Sequence, residues 1–230
     1  MASRVNRSAI PFGLVGLLSV ATALASFASV ASSGASASLG PEGVVVFNVP
    51  DLAPATTTST GGPVDGLTCR SVSKEVDRYH IHVEVAVFVG GSRERLPAGI
   101  GITRPYLVEH SSAGLFLDVG PYNCLYWLHT HAADGIVHVE APAKGSFTLG
   151  QLFEVWRQPL GPGRVGPARG AVVVFENGRR LHGDPRATPL APHAVIQLDV
   201  GTPVVAFRPF PFHVSGGCGA GTTSCSVPTG

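Results

Sequence analysis

The sequence predicts a mostly β protein, an antiparallel β-sandwich or barrel with one short helix. Short apolar or alternating segments recur along the 230 residues, and turn residues drawn from 29 Gly and 19 Pro separate them. Two of the turns contain Asp134-Gly135 and Asn177-Gly178, dipeptides that favour tight β-hairpins. Only one segment has the apolar period of a helix. Many short strands with a single helix are typical of sandwiches and barrels.

The N-terminus has the layout of a secretory signal peptide. Arg4 and Arg7 precede an apolar run over 10–30, and small-residue cleavage patterns follow at 23–25 and 35–37. The run is also long enough for an uncleaved membrane anchor, an alternative that its many Ala and Ser residues weaken. The sequence therefore predicts an exported protein, secreted or at the cell surface, with no membrane attachment other than this segment.

Composition divides the chain into four segments. These are 1–37, the signal peptide or anchor; 38–65, a candidate strand and a Thr/Pro/Gly-rich linker; 66–210, a His-rich β domain; and 211–230, a flexible Gly/Ser/Thr-rich tail. Once Arg4 and Arg7 are removed with the signal, 14 basic and 15 acidic residues remain. No basic patch then predicts binding to nucleic acid or to anionic lipid.

Four cysteines fit an oxidising compartment. Cys69 and Cys124 each precede a histidine-rich segment, and this similar placement predicts one disulfide that ties the two segments together. Cys218 and Cys225 lie in the tail and are expected to close a small local loop. Four cysteines allow three connectivities, so the other pairings stay open.

The first histidine-rich segment is a strand predicted over residues 79–89. Its aliphatic side chains alternate with a second set, so the two sets lie on opposite faces. The second face carries His80, His82, Glu84, Ala86 and Phe88. Because the valine face must be buried, the histidines face solvent, a second layer or a cavity. Glu84 could orient an imidazole, act as a general base, or lie as a solvated strand residue.

The second histidine-rich segment spans residues 129–140. A type I′ turn at Asp134-Gly135 would place His131 opposite His138 and His129 opposite Glu140. All four side chains would then project from one face, with opposed Cβ atoms roughly 5 Å apart. Three imidazoles and a carboxylate form a ligand set for a transition metal ion, with copper, zinc, iron or manganese as candidates.

The two segments could build one pocket if their strands were neighbours. His80 and His82 would then join His129, His131, His138 and Glu140 as metal ligands. Five histidines and a glutamate exceed what one four-coordinate ion needs, so some would orient other ligands or bind a second ion.

A helix is predicted after Thr148, because Gln151 stands at capping-box spacing from it. The apolar stripe that follows consists of Leu149, Leu152, Phe153 and Trp156, and Pro159 ends the helix. Trp156 is expected to anchor the core. A second hairpin is predicted through Asn177-Gly178, and further strands at 193–200 and 204–207 complete the β domain.

Several motifs together resemble those of a family of exported bacterial and archaeal proteins to which no function is assigned. They are His80-Ile-His-Val-Glu84, Pro97-Ala-Gly-Ile-Gly-Ile102, Cys124-Leu-Tyr-Trp-Leu-His-Thr-His131, Gly135-Ile-Val-His-Val-Glu140 and Thr148-Leu-Gly-Gln-Leu-Phe153. The resemblance covers approximately residues 66–210 and implies an extracytoplasmic setting and the same histidine constellation. Ala132-Ala133 stands where that family's motif has an acidic residue.

Two better-understood classes offer analogies only. Cupins also carry His-x-His on a β-barrel, but the glutamate spacing after His131 does not fit, since Asp134 is the nearest acid. Blue-copper proteins need a Cys ligand and usually a Met. Here Met1 is the only Met and would be lost with the signal, and Cys124 is predicted to pair with Cys69.

Three functions remain open from the sequence. The first is an exported metal-binding protein that sequesters, senses or delivers copper or zinc, or uses the ion to hold its fold. The second is a metal-dependent hydrolase or oxygenase, in which Glu140 or Glu84 would move protons. The third is a cell-surface interaction module without a metal. The sequence contains no nucleophile elbow, Walker loop, dinucleotide fingerprint or zincin helix, and the metal-binding function is the one it favours.

Overall fold

The computed structural model describes Met1 and residues 37–74, 78–111 and 113–212. The chain divides into two units, Met1–Gly34 and Ala35–Gly230, and all that follows concerns the second. The predicted signal peptide between residues 2 and 36 lies outside the described residues. The tail from residue 213 onward, with Cys218 and Cys225, lies outside them as well.

The described residues form sixteen strands and one α-helix, α1, at Leu149–Trp156. In chain order the strands are β1 Ala37–Leu39, β2 Val45–Phe47, β3 Cys69–Arg70, β4 Tyr79–Val89, β5 Ser92–Glu94, β6 Tyr106–Ser111, β7 Gly114–Val119, β8 Leu125–Tyr126, β9 Leu128–His129, β10 Ile136–Ala141, β11 Leu160–Gly161, β12 Arg164–Val165, β13 Ala168–Arg169, β14 Val172–Glu176, β15 Arg179–Leu181 and β16 Val195–Val200. The predicted mostly β class is confirmed, with a sandwich-like arrangement and no closed barrel among these strands.

The largest sheet has seven strands in the order β15-β14-β16-β4-β10-β9, and β5 also pairs with β4. All of its neighbours are antiparallel except β16 and β4, which are parallel. The first half of β4 pairs with β10, and its second half pairs with β16. The two histidine-rich segments are therefore adjacent strands.

One face of this sheet forms the hydrophobic core with α1. The helix begins with the predicted capping box between Thr148 and Gln151 and ends at Arg157, whose backbone is left-handed. Its apolar stripe packs with the valine face of β4, and Trp156 is fully buried there, as predicted. Each large side chain buried in this way contributes about 1.5–3 kcal/mol. With one face of the sheet occupied by the core, the histidines lie on the other.

The Asn177-Gly178 hairpin is confirmed, since both residues have positive φ and β14 pairs with β15 across them. The predicted type I′ turn at Asp134-Gly135 is wrong, because only Gly135 has positive φ. The backbone N–H of Ile136 instead donates to Asp134 Oδ1 at 2.9 Å, a side-chain turn typical of Asp.

The register of the ribbon is also different from the predicted one, since β9 places His129, not His131, opposite His138. After His129 the chain no longer pairs with β10, because the backbone of residues 130 and 131 forms hydrogen bonds with other segments. Thr130 N–H donates to Ile100 O at 3.0 Å, and His131 O accepts from Leu117 N–H at 3.0 Å. The shift amounts to two residues, so every side chain keeps its face.

The disulfide between Cys69 and Cys124 is confirmed. It joins β3 to the segment before β8, and these two strands pair antiparallel. Residues 55–58 lie against α1, where the Thr57 hydroxyl donates to Trp156 O at 2.8 Å. No helix within the described residues has the length and apolarity to cross a membrane.

Candidate metal centre

The histidines gather on three adjacent strands of the large sheet, β4, β10 and β9, with His131 just after the end of β9. His138 on β10 is opposite His129 on one side and His82 on the other, so the three form a row across the sheet. Glu140 is opposite His80 in the next row. Residues two apart on a strand share a face, and the same face therefore carries both rows.

Two groups of side chains place their ligand atoms within 4.8 Å of one another, the spacing that a shared ion requires. The groups are His129, His131, His138 and Glu140, and His80, His82 and His138. The convergence of the four ribbon residues is thus as predicted, although their register is not. His80 and His82 lie beside them, and His138 belongs to both groups.

The first histidine pair, His129 and His131, is buried, with 0% and 8% of the two residues exposed. His129 Nδ1 lies 2.9 Å from Tyr126 O, and His131 Nδ1 lies 2.6 Å from Leu117 O. A carbonyl oxygen only accepts, so each Nδ1 carries the ring hydrogen. Burial lowers the pKa of both rings, that of His131 to about 3, and keeps them neutral.

The two Nε2 atoms of this pair then hold lone pairs that face each other at 3.1 Å. Neither neutral ring has a hydrogen on that atom to donate to the other. Two nitrogens bound to one ion at about 2.0–2.1 Å are separated by about this distance. A histidine that donates its other N–H to a backbone carbonyl is also in the orientation common to metal ligands.

The second pair, His80 and His82, has the same spacing, with the two Nε2 atoms 3.1 Å apart. It is the more accessible pair, because the His80 side chain is 44% exposed. Burial and the neighbouring His138 lower the pKa of His82 to about 3, so this ring is neutral as well.

Glu140 lies between the two pairs. Its Oε1 is 3.0 Å from His80 Nε2 and 3.3 Å from His138 Nδ1, and its Oε2 is 3.6 Å from His129 Nε2. Burial alone would raise the pKa of Glu140, but the interactions with His129 and His138 hold it below its usual range. The group is therefore a carboxylate with one oxygen directed to each side.

Glu42 is a member of the site that the sequence analysis did not identify. It lies between β1 and β2, is 4% exposed, and its Oε1 is 2.6 Å from His138 Nε2. Burial disfavours both charges, yet each partner stabilises the other: the pKa of His138 rises to about 10 and that of Glu42 falls to about 2. The one available signal was that Glu42 is the only charged residue between 38 and 50.

Asp134 is a second buried acid at this point, with 3% of the residue exposed. Burial and the Glu42 carboxylate raise the pKa of Asp134 well above its usual value, which favours the neutral acid form of Asp134 beside Glu42. The loop that departs from the predicted turn therefore contributes a neutral acid to the site.

Glu84 lies on the same strand face but belongs to neither group of ligand atoms. Its Oε1 accepts a hydrogen bond from Arg93 Nη2 at 3.1 Å, and Glu84 is 2% exposed. Burial raises the pKa of Glu84 to about 7, partly opposed by Arg93. The burial of Glu84 contradicts the role of a solvated strand residue, whereas the role of a general base stays a prediction. Its partner Arg93 packs over the Phe47 ring.

No protein-family model, curated protein or solved structure shows significant similarity to this chain. The resemblance to exported bacterial and archaeal proteins accordingly stays a prediction. The site can be interpreted only from its own geometry: a cluster of imidazoles and a carboxylate that could hold a metal ion.

Proposed function

We propose that the protein is an exported metal-binding β protein, and that its histidine centre binds a transition metal ion, with copper and zinc as the preferred candidates. The observation that carries the proposal is the His129–His131 pair. Two neutral, buried imidazoles direct unprotonated Nε2 atoms at each other at 3.1 Å, and burial of polar atoms without a partner is costly. A cation between them satisfies both.

The ligand set supports this choice of metal. Imidazole nitrogens with one carboxylate suit zinc, copper and iron, whereas calcium and magnesium prefer oxygen ligands alone. Among divalent ions copper binds such sites most tightly, followed by zinc and nickel. Iron and manganese are the weaker candidates for the same set.

Binding, not catalysis, is the role we assign to this first ion. His129, His131 and His138 are all buried, and Glu140 is only 11% exposed. A closed set of four ligands is typical of ions that are stored or that support the fold, whereas catalytic ions keep a position open for substrate. The physiological role would be to sequester, sense or deliver the ion.

Export is part of the same proposal. The Cys69–Cys124 disulfide supports it, because disulfides persist mainly in oxidising compartments. The signal-like N-terminus adds to the argument from the sequence alone.

The test is a titration of the full-length, untagged protein with Zn²⁺ and Cu²⁺ after dialysis against a chelator. We expect His131→Ala to weaken binding by roughly 100-fold or more, since changes of orienting groups alone cost 10–100-fold. His182→Ala, at an exposed histidine, is the control. Equal affinities for the wild type and both variants would refute the metal site.

A further inference from the structure

We propose that the centre is dinuclear, with a second ion held by His80 and His82 and with Glu140 as the carboxylate that bridges the two ions. The inference rests on the proposed function, because it takes the His129–His131 pair as the site of the first ion. It adds a second, solvent-accessible position to that buried one.

The first argument is the repetition of the pair geometry. His80 and His82 place their Nε2 atoms 3.1 Å apart, the same separation as in the His129–His131 pair. His80 and His82 lie on β4 and His129 lies on β9, the strands that flank β10 on opposite sides, and His131 follows just after the end of β9. One four-coordinate ion uses four ligands, whereas five histidines and Glu140 converge on this face, so a single ion leaves a complete imidazole pair unused.

The second argument is the position of Glu140 on the strand between the pairs. Its Oε1 lies 3.0 Å from His80 Nε2, and its Oε2 lies 3.6 Å from His129 Nε2. One carboxylate oxygen therefore faces each pair. Dinuclear sites place their ions about 3.5–4 Å apart, a separation that the two oxygens of one carboxylate can span.

The third argument is the central position of His138. Its ring centroid lies 4.5 Å from that of His82 and 4.7 Å from that of His131. Its ligand atom lies within 4.8 Å of the ligand atoms in both groups. A bound ion would displace one ring proton of His138, which could then complete either ligand set while Glu42 Oε1 accepts from its Nε2–H. The middle strand β10 thus supplies what both ions share, β4 supplies one pair, and β9 with the residues just after it supplies the other.

The two positions differ in access to water. The His80 side chain is 44% exposed, whereas His129 is fully buried. The second ion would accordingly keep a coordination position open to water or to a small anionic ligand, and it would exchange faster than the first.

The experiment measures the number of ions bound per chain and the magnetic interaction between them. Full-length untagged protein is loaded with Cu²⁺, freed of excess metal, and studied by elemental analysis and electron paramagnetic resonance. We expect two ions per chain and a spectrum broadened by the neighbouring spin. The double variant His80→Ala/His82→Ala should bind one ion and give the sharp spectrum of an isolated Cu²⁺, and His182→Ala should behave as the wild type.

Glu140→Gln provides a second test, since an amide cannot bridge two cations as a carboxylate does. It should weaken binding of the second ion by roughly 10-fold or more and change the interaction between the spins. Circular dichroism shows that both variants are folded, and His80→Ala/His82→Ala should also retain the first ion, because neither residue belongs to its ligand set.

The outcomes separate the two proposals. One ion per chain in the wild type, lost in His131→Ala, would leave the metal-binding function standing and overturn the dinuclear centre. A second ion that persists in His80→Ala/His82→Ala would also overturn it, because that ion would lie elsewhere. Absence of any bound metal would refute both.

Discussion

Glu42 Oε1 lies 2.6 Å from His138 Nε2, and the two residues are 96 positions apart in the chain. The contact brings the segment between β1 and β2 onto the histidine face of the sheet. It holds a charged carboxylate and a charged imidazole in a buried place, and burial of such a pair is tolerated only while both partners are present. The N-terminal part of the described chain is therefore structurally part of the centre.

The first prediction compares the two buried acids next to His138. Glu42→Gln removes the charge that stabilises the imidazolium, and we expect the free energy of unfolding at pH 7 to fall by about 3 kcal/mol. Asp134→Asn replaces a group that is already neutral and keeps an Oδ1 acceptor for Ile136 N–H. We expect it to cost less than about 1 kcal/mol.

Urea denaturation of metal-free protein measures both values, and Asp134→Asn serves as the matched control for Glu42→Gln. An equal loss in the two variants would contradict the assignment of the charge to Glu42 and of the proton to Asp134.

The second prediction concerns the close approach of Gly101 to β9. A Cβ at this position would meet Leu128 O and the Cβ of His129, and Gly101 has a φ of 75°. Gly101→Ala should therefore displace His129, destabilise the fold by roughly 2 kcal/mol or more, and weaken metal binding. Gly161→Ala is the control, because nothing lies within 4 Å of its added Cβ. Unchanged metal affinity in Gly101→Ala would show that the position of His129 does not matter for the site.

The third prediction is a pH dependence caused by Glu84. Its pKa is about 7 in the folded protein, above the ordinary value of 4.5, because burial favours the neutral form. Between these pH values the folded protein binds the proton more tightly than the unfolded chain does. The contribution of Glu84 to the free energy of unfolding is thus fully present below about pH 4.5 and is lost as pH rises through about 7.

Glu84→Gln should remove this contribution. Between pH 4.5 and pH 8 the wild type should lose on the order of 3 kcal/mol of unfolding free energy relative to Glu84→Gln. Denaturation curves across this range measure it. Glu154→Gln, which alters an exposed ion pair with Arg186, should leave the difference flat, and a flat difference for Glu84 as well would contradict the prediction.

The fourth prediction concerns the disulfide. It closes a loop of 55 residues between Cys69 and Cys124, so its loss should lower the free energy of unfolding by about 4 kcal/mol through the entropy of the unfolded chain. The variant Cys69→Ser/Cys124→Ser, compared with the wild type in the presence and absence of reductant, gives the value. If the reductant destabilised the double variant as much as the wild type, the effect would not come from this bond.

Local features of the sequence determined several elements of this protein, although residues 204–207, predicted to form a strand, are not one. Alternation of side chains predicted the histidine face of β4, the capping box of Thr148 and Gln151 predicted the start of α1, and Asn177-Gly178 predicted a hairpin; the structure contains all three. Each of these signals acts within a few residues of the chain, since backbone geometry, turn preferences and capping bonds are local.

Tertiary structure alone decided how those elements meet. Three features depend on the tertiary fold. They are the parallel pairing of β16 with β4, the end of pairing with β10 after His129, and the ion pairs of Glu42 with His138 and of Glu84 with Arg93. Such contacts depend on burial and on hydrogen bonds to distant segments, for example from Thr130 N–H to Ile100 O and from Leu117 N–H to His131 O. A tight turn that is acceptable locally is therefore replaced when other segments satisfy the same backbone groups.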